Sequence, residues 1–181
     1  MKTNYFSLII LGLALWACDE DKSLEKVKPY QGAMIESQQI ETLYSDSAKL
    51  KMRIKAPKQQ QLQNGNLIYP ETIEVFFYNE KKQESSKLTA LKGFYDKEKN
   101  LYTATGKVVV RDLLENKTLK TEVLHWSPNE KRIFTDKFVV IESGENVVKG
   151  EGFTANQDFQ YYKILKPTGS GIIKKKPKQS E

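Results

Sequence analysis

The chain has 181 residues, 29% of them charged, with a formal net charge of +6 and a mean hydropathy of −0.59, which describes one mainly soluble domain. One cysteine excludes an internal disulfide and any cysteine-based metal cluster. The basic balance shows no clustered arginine face, only a lysine-rich C-terminus, so it excludes a nucleic-acid binder and points to phosphates on lipids or a membrane surface.

Residues 1–17 read as a lipoprotein signal peptide. Lys2 supplies a minimal positive region, and Tyr5 to Ala17 is an apolar run too short for a comfortable membrane span. Leu15-Trp16-Ala17-Cys18 resembles a bacterial lipobox, with a small residue before the cysteine to be acylated. A short signal anchor with an incidental cysteine is the alternative. The only cysteine stands where the apolar run stops, which favours Cys18 as a lipidated mature N-terminus. Removing the signal peptide takes away one lysine and no acid, leaving +5. Residues 18–32 then form a charged tether without apolar periodicity. Asp19-Glu20-Asp21 is open to two readings, inner-membrane retention or surface export.

Residues 33–166 form the folded domain. Strand-like material begins with Met34-Ile35 and Ile40 to Tyr44. Ala48 to Ala56 then alternates, with Leu50, Met52 and Ile54 on one face and Lys49, Lys51, Arg53 and Lys55 on the other. Pro57 is expected to end this strand and Gln59 to Asn66 to be a loop. Further along, the chain nearly repeats itself. Leu101-Tyr102-Thr103 leads into Gly106-Lys107-Val108-Val109-Val110, and Ile133-Phe134-Thr135 leads into Lys137-Phe138-Val139-Val140-Ile141. A weaker copy upstream joins Ile68-Tyr69-Pro70 to Ile73-Glu74-Val75-Phe76-Phe77. The spacing is 33 residues from Tyr69 to Tyr102 and 32 from Tyr102 to Phe134, which is the period of a repeated supersecondary unit. Each unit holds two apolar runs that cannot bury their faces alone, so the copies must pair or stack. Polar turns at 79–86, 96–100, 127–132 and 143–146 punctuate the runs. Phe159 to Leu165 is the last predicted strand, ended by Pro167, and 167–181 is a basic, flexible tail. About ten short strands and no amphipathic helix predict an all-β fold: a sandwich, roll or barrel with antiparallel neighbours.

No catalytic constellation appears. His125, the only histidine, lies in an aromatic run and reads as a surface strand residue, with no local acid and nucleophile to make a triad. One histidine and one lipidated cysteine do not make a zinc site, so no metal or other cofactor is expected. Gly150-Glu151-Gly152 lacks the next glycine and the helix of a dinucleotide loop and suggests a bulge or close backbone approach. Asn116-Lys117-Thr118 is formally a glycosylation sequon. What remains is apolar surface. Alternation and repeat register place Leu50, Met52, Ile54, Ile73, Val75, Phe77, Val108, Val110, Val123, Val139 and Ile141 on one face. Periodicity allows either an ordinary closed core or a groove left partly open for acyl chains.

Several segments together resemble the lipopolysaccharide-export periplasmic protein LptC family, within the wider OstA-like group, over about Ala33 to Leu165. They are Ser86-Lys87-Leu88-Thr89-Ala90 with Tyr95-Asp96; Gly106-Lys107-Val108-Val109-Val110; Leu119-Lys120-Thr121-Glu122 with Leu124-His125-Trp126; Ile133-Phe134-Thr135-Asp136; and Val148-Lys149-Gly150-Glu151-Gly152-Phe153. The resemblance implies an antiparallel β-jellyroll folded like a taco shell, carrying lipopolysaccharide acyl chains in its interior without catalysis. It also implies docking to the inner-membrane lipopolysaccharide ABC transporter at one end and to a periplasmic bridge protein of the LptA type at the other. Many members enter the transporter with a transmembrane helix, in place of which this chain has the lipidation motif at Cys18. The end strand offers Phe159, Tyr161 and Ile164 as candidate partner-binding residues, since sheet edges accept added strands. The expected location is the periplasmic face of the inner membrane.

Overall fold

A computed structural model describes residues 30, 32–157, 159 and 161–168. The lipobox with Cys18, the acidic triplet, the signal peptide, most of the tether and residues 169–181 of the basic tail lie outside the described residues. Within them the chain is entirely strand and turn. The strands are β1 (Ile35–Asp46), β2 (Lys49–Gln61), β3 (Leu67–Tyr69), β4 (Ile73–Tyr78), β5 (Glu84–Ala90), β6 (Lys92–Asp96), β7 (Leu101–Asp112), β8 (Lys117–Ser127), β9 (Arg132–Ser143), β10 (Asn146–Asn156) and β11 (Tyr162–Thr168).

All pairings are antiparallel, within one sheet. The register shows a single meander. β3 and β4 are one arm interrupted at 70–72, and β5 and β6 are the next arm interrupted at Leu91. Tyr69 pairs with Gly93 in β6, and Ile73 pairs with Ala90 in β5, so the two arms stay in near-continuous register across the break. Both halves of the second arm then pair with β7. The 32- to 33-residue repeat is thus one hairpin, and each copy carries an irregularity in mid-arm.

Those irregularities line up across the sheet. Leu91 N–H donates to the Gly106 carbonyl (3.0 Å). The register slips between Thr105 and Val108 in β7, between Thr121 and His125 in β8, and between Glu151 and Phe153 in β10. Gly106 (φ 80°) and Lys107 (φ 48°) adopt left-handed backbone at the β7 slip. Bulges bend and twist strands, so a continuous line of them lets a wide sheet curl over its own apolar face. Side chains take up backbone groups that the slips release. The Thr121 hydroxyl donates to the Phe138 carbonyl (2.9 Å), and the Thr135 hydroxyl accepts from Lys137 N–H (3.1 Å).

The curl brings the two ends of the meander face to face. Tyr44 of β1 meets Trp126 of β8 edge-on, with centroids 5.0 Å apart, and Phe77 of β4 meets Phe159, which follows β10, at 5.5 Å. Among the described residues β1 pairs only with β2, and β11 only with β10. The roll is therefore open along one side, held across the seam by side chains.

Three local expectations need correction. β2 does not stop at Pro57 but runs to Gln61, so Gln59–Gln61 is strand, not loop. The β1–β2 ladder passes from Ile40–Ala56 to Gln38–Lys58 and skips Pro57, opposite which Gln39 has a φ of 49°. A proline at a skipped position removes no ladder bond. The last strand is Tyr162–Thr168, later than expected, and contains Pro167 on the sheet edge, where its missing N–H is harmless. Phe159 lies before that strand with a φ of 58°, and its side chain is buried.

Gly150 belongs to a close approach. A β-carbon there would stand 2.5 Å from the Lys166 carbonyl oxygen and 2.5 Å from Ile164 Cγ2. An alanine in mid-strand normally gains about 0.5–1 kcal/mol over glycine. Here Gly150→Ala is expected to cost about 1–3 kcal/mol through overpacking. Hydrogen exchange should show β11 amides losing protection before those of β7 and β8; unchanged β11 protection would contradict this.

Candidate lipid groove

The inner face of the roll is apolar from β2 to β10. Met52, Ile54, Ile73, Val75, Phe77, Val108, Val110, Val139 and Ile141 are all buried in one cluster. Leu50 is half-buried, outside that buried cluster. Val123 is a correction. The register slip between Thr121 and His125 switches the inward parity of β8, so Leu119 and Thr121 point inward, then Leu124 and Trp126. Val123 is left half-buried outside the cluster. Strict alternation cannot see such a switch, because it assumes an unbroken period of two.

Sequence reasoning also missed Leu88, Leu124, Trp126, Ile133 and Phe153, all buried in the same cluster. The alternation Ser86-Leu88-Ala90 in β5 was a usable signal for the first. The others lie at or beyond the bulges. An aromatic column crosses the interior: Tyr95 stacks on Tyr102 (4.3 Å), Tyr102 lies tilted against Trp126 (4.9 Å), and Trp126 meets Phe77 edge-on (6.2 Å). Burial pushes the Tyr69 phenol up to about 12 and the Tyr102 phenol still higher, so both stay neutral and add no charge to the interior.

Two small cavities remain. One, about 40 Å³, is lined by Met52, Ile54, Phe77, Leu124, Trp126 and Ile133 among others. The second, about 30 Å³, is bounded by Ser86, Val110, Leu119, Ile141, Phe153 and Phe159 with their neighbours. Pockets that enclose organic ligands occupy roughly 300–1,000 Å³. The inner face is therefore chemically suited to alkyl chains, but in this conformation it is packed against itself.

The outer face is polar and paired. Glu80 binds Lys49 (2.7 Å) and Lys51, Arg53 binds Glu84, and Lys87 binds Glu74 (2.5 Å). Hydrogen bonds from Lys49 and Lys51 hold the Glu80 carboxyl down to about 2. Arg53 and Lys87 also sit over the Phe76 ring, at 4.7 and 5.2 Å. His125 is half-buried, its Nδ1 3.0 Å from the Thr103 hydroxyl, and burial lowers its pKa below the ordinary value. Among the described residues no group of three or more His, Cys, Asp or Glu is placed to hold a metal ion.

Of the three residues expected at the partner edge, Phe159 is turned inward against Phe77 and is withdrawn from that role. Its large apolar ring follows the chain into the interior. Tyr161 is 76% exposed, and Ile164 packs partly against the core from β11.

The molecule is thus an all-β, antiparallel roll around a continuous apolar interior. The profile of the LptC-related lipopolysaccharide-assembly family matches residues 5–168, and the chain belongs to that family, with a role in lipopolysaccharide transport. Comparison with curated proteins finds no match. Among solved structures the chain is similar to LptH from Pseudomonas aeruginosa, the LptA-homologous periplasmic component of the lipopolysaccharide transport device. The two are 18% identical over 74% of this chain and 94% of that one, with a TM-score of 0.48.

Proposed function

We propose that this chain is a non-enzymatic carrier that shelters lipopolysaccharide acyl chains between the two faces of its roll. It receives them from the inner-membrane ABC transporter and passes them to a periplasmic bridge protein of the LptA type. The observation that carries this reading is the open seam: an uninterrupted apolar face lies behind two edge strands not paired to each other. Parting β1 from the far end of the meander breaks side-chain packing and no ladder between them. An alkyl chain can then replace the displaced apolar contacts, at about 0.8 kcal/mol for each methylene removed from water.

In this reading β1 and β11 are also the docking edges, because each has an unpaired side to which a partner strand can add. Tyr161 and Ile164 stand at the β11 end. The two cavities, about 40 and 30 Å³, favour a second reading, in which the roll is a closed core and the chain an interaction lipoprotein of the cell envelope. Lipid retained by the protein after mild purification separates the two: the carrier holds lipopolysaccharide and the closed core does not.

The anchor is part of the proposal. Lipid on Cys18 holds the chain at the periplasmic face of the inner membrane, which places the roll beside the transporter. Cys18→Ser is expected to abolish incorporation of labelled palmitate and to leave the chain as a soluble or uncleaved precursor. Label still entering the variant would contradict this.

A further inference from the structure

We infer that the outer face of β2, β4, β5 and β7 is a docking surface for an anionic phospholipid bilayer. The roll's excess of positive charge lies in its first half: residues 32–112 hold thirteen basic and ten acidic side chains, and residues 113–168 hold eight of each. The register gathers much of that excess in one place. β2, β4, β5 and β7 are neighbours in the sheet, and Arg53, Phe76, Lys87 and Arg111 form one ladder row across them. Leu43 of β1 extends the row beyond Arg53. The row points outward, because the next residues along the same strands, Ile54, Val75, Leu88 and Val110, are buried in the core.

This row works against the sheet that carries it. Like charges directly opposite on neighbouring strands are destabilising, and Lys87 stands opposite Arg111. Glu74 binds Lys87, and Glu84 and Glu41 bind Arg53, but Arg111 has no ion pair among the described residues. Nor has Lys55, which follows Arg53 on the same face of β2 and is exposed. The outer face of the second half is arranged differently. There neighbouring strands bring opposite charges together: Lys120 binds Glu142 (2.8 Å), and Lys166 meets its ladder partner Glu151 (3.7 Å). An anion from outside the chain would relieve the repulsion in the row and meet the two cations left over.

The shape of the patch says which anion. At a strand spacing of about 4.8 Å the row from Leu43 to Arg111 is about 19 Å long, so its cations are spread out and do not converge on one small ion. Apolar groups lie between them. Leu43 is 60% exposed, and the Phe76 ring lies under Arg53 (4.7 Å) and Lys87 (5.2 Å). Basic side chains interleaved with apolar ones over a broad face suit the boundary of a bilayer, where phosphates adjoin acyl chains. The chain also enters the roll on this side, since Leu43 stands on β1, the first strand. A membrane attachment N-terminal to the roll therefore leads directly to this face.

Amine footprinting of the full-length chain tests this. The chain is acetylated briefly on vesicles of phosphatidylcholine alone and of phosphatidylcholine mixed with phosphatidylglycerol, and each lysine is read by mass spectrometry. Lys55 and Lys87 are expected to react about fivefold or more slowly on the anionic vesicles, fivefold being the worth of one basic side chain at such a surface. Lys149 of β10 and Lys163 of β11, both exposed, are expected to react equally on the two. High salt should remove the protection, because it screens surface charges. Lys55→Gln combined with Arg111→Gln changes only exposed side chains and is expected to abolish the protection of Lys87. The comparison is between lysines of one chain, so it holds whether acyl chains on Cys18 or an uncleaved apolar segment keeps the chain on the vesicle. Equal reactivity of Lys55 and Lys87 on the two vesicles, equal protection of Lys149 and Lys163, or protection of Lys87 that survives the double substitution would overturn the proposal.

Discussion

Phe77→Ala is expected to lower the unfolding free energy by about 3–5 kcal/mol, the range for removing a buried aromatic ring. Phe77 is 2% exposed and is one of the residues through which the two ends of the meander touch, meeting both Trp126 and Phe159. Its removal enlarges the cavity of about 40 Å³ that it lines into a void that the stiff, hydrogen-bonded arms cannot collapse. Against a total stability of about 5–15 kcal/mol for a domain of this kind, the loss is a fifth or more. Urea denaturation should show the midpoint falling with the slope nearly unchanged. A loss under about 1 kcal/mol would mean that Phe77 does not hold the seam.

Adjacent residues of β9 supply the second large effect. Val139 is 0% exposed and faces a cluster with no acid in it, while Val140 points to the other side of the sheet. Val139→Arg buries a charge with no counter-ion and is expected to cost about 3–5 kcal/mol. It should also remove any bound lipid. Val140→Arg lies beside Lys120 and Lys149 on the outer face and is expected to cost less than about 1 kcal/mol. Circular dichroism melts of both variants check the pair. Equal losses would contradict the assignment of inner and outer faces.

How far the sequence alone leads can be seen at these same positions. Val108, Val110, Val139 and Ile141 fall on one face because the strands keep a period of two there, and a periodic pattern survives any fold that buries one side of a sheet. The repeat was legible for a related reason: each hairpin must offer the same apolar face to its neighbours, so similar residues recur after two arms. Val123 was misplaced because a bulge adds one residue and reverses the parity beyond it, and nothing in Thr121 to His125 marks the spot in advance. Pro57 misled for the opposite reason. Its usual effect on a ladder is absent when the partner position is itself skipped. Phe159 could not be assigned inward from sequence, since its burial depends on Phe77, more than eighty residues away along the chain. The curl of the sheet was only partly readable: Gly106 and Gly152 hint at bulges, but their alignment across neighbouring strands appears only once the register is known.

Site-specific photocrosslinking in intact cells tests the central claim most directly. A photoreactive amino acid is placed in turn at Phe77, Val108, Val110 and Val139 on the inner face, and at exposed Lys107 on the outer face. The carrier account expects lipopolysaccharide adducts at inner positions and none at Lys107, in chains that remain folded. Folded chains with no adduct at any of the four inner positions would contradict it and leave the roll a closed core.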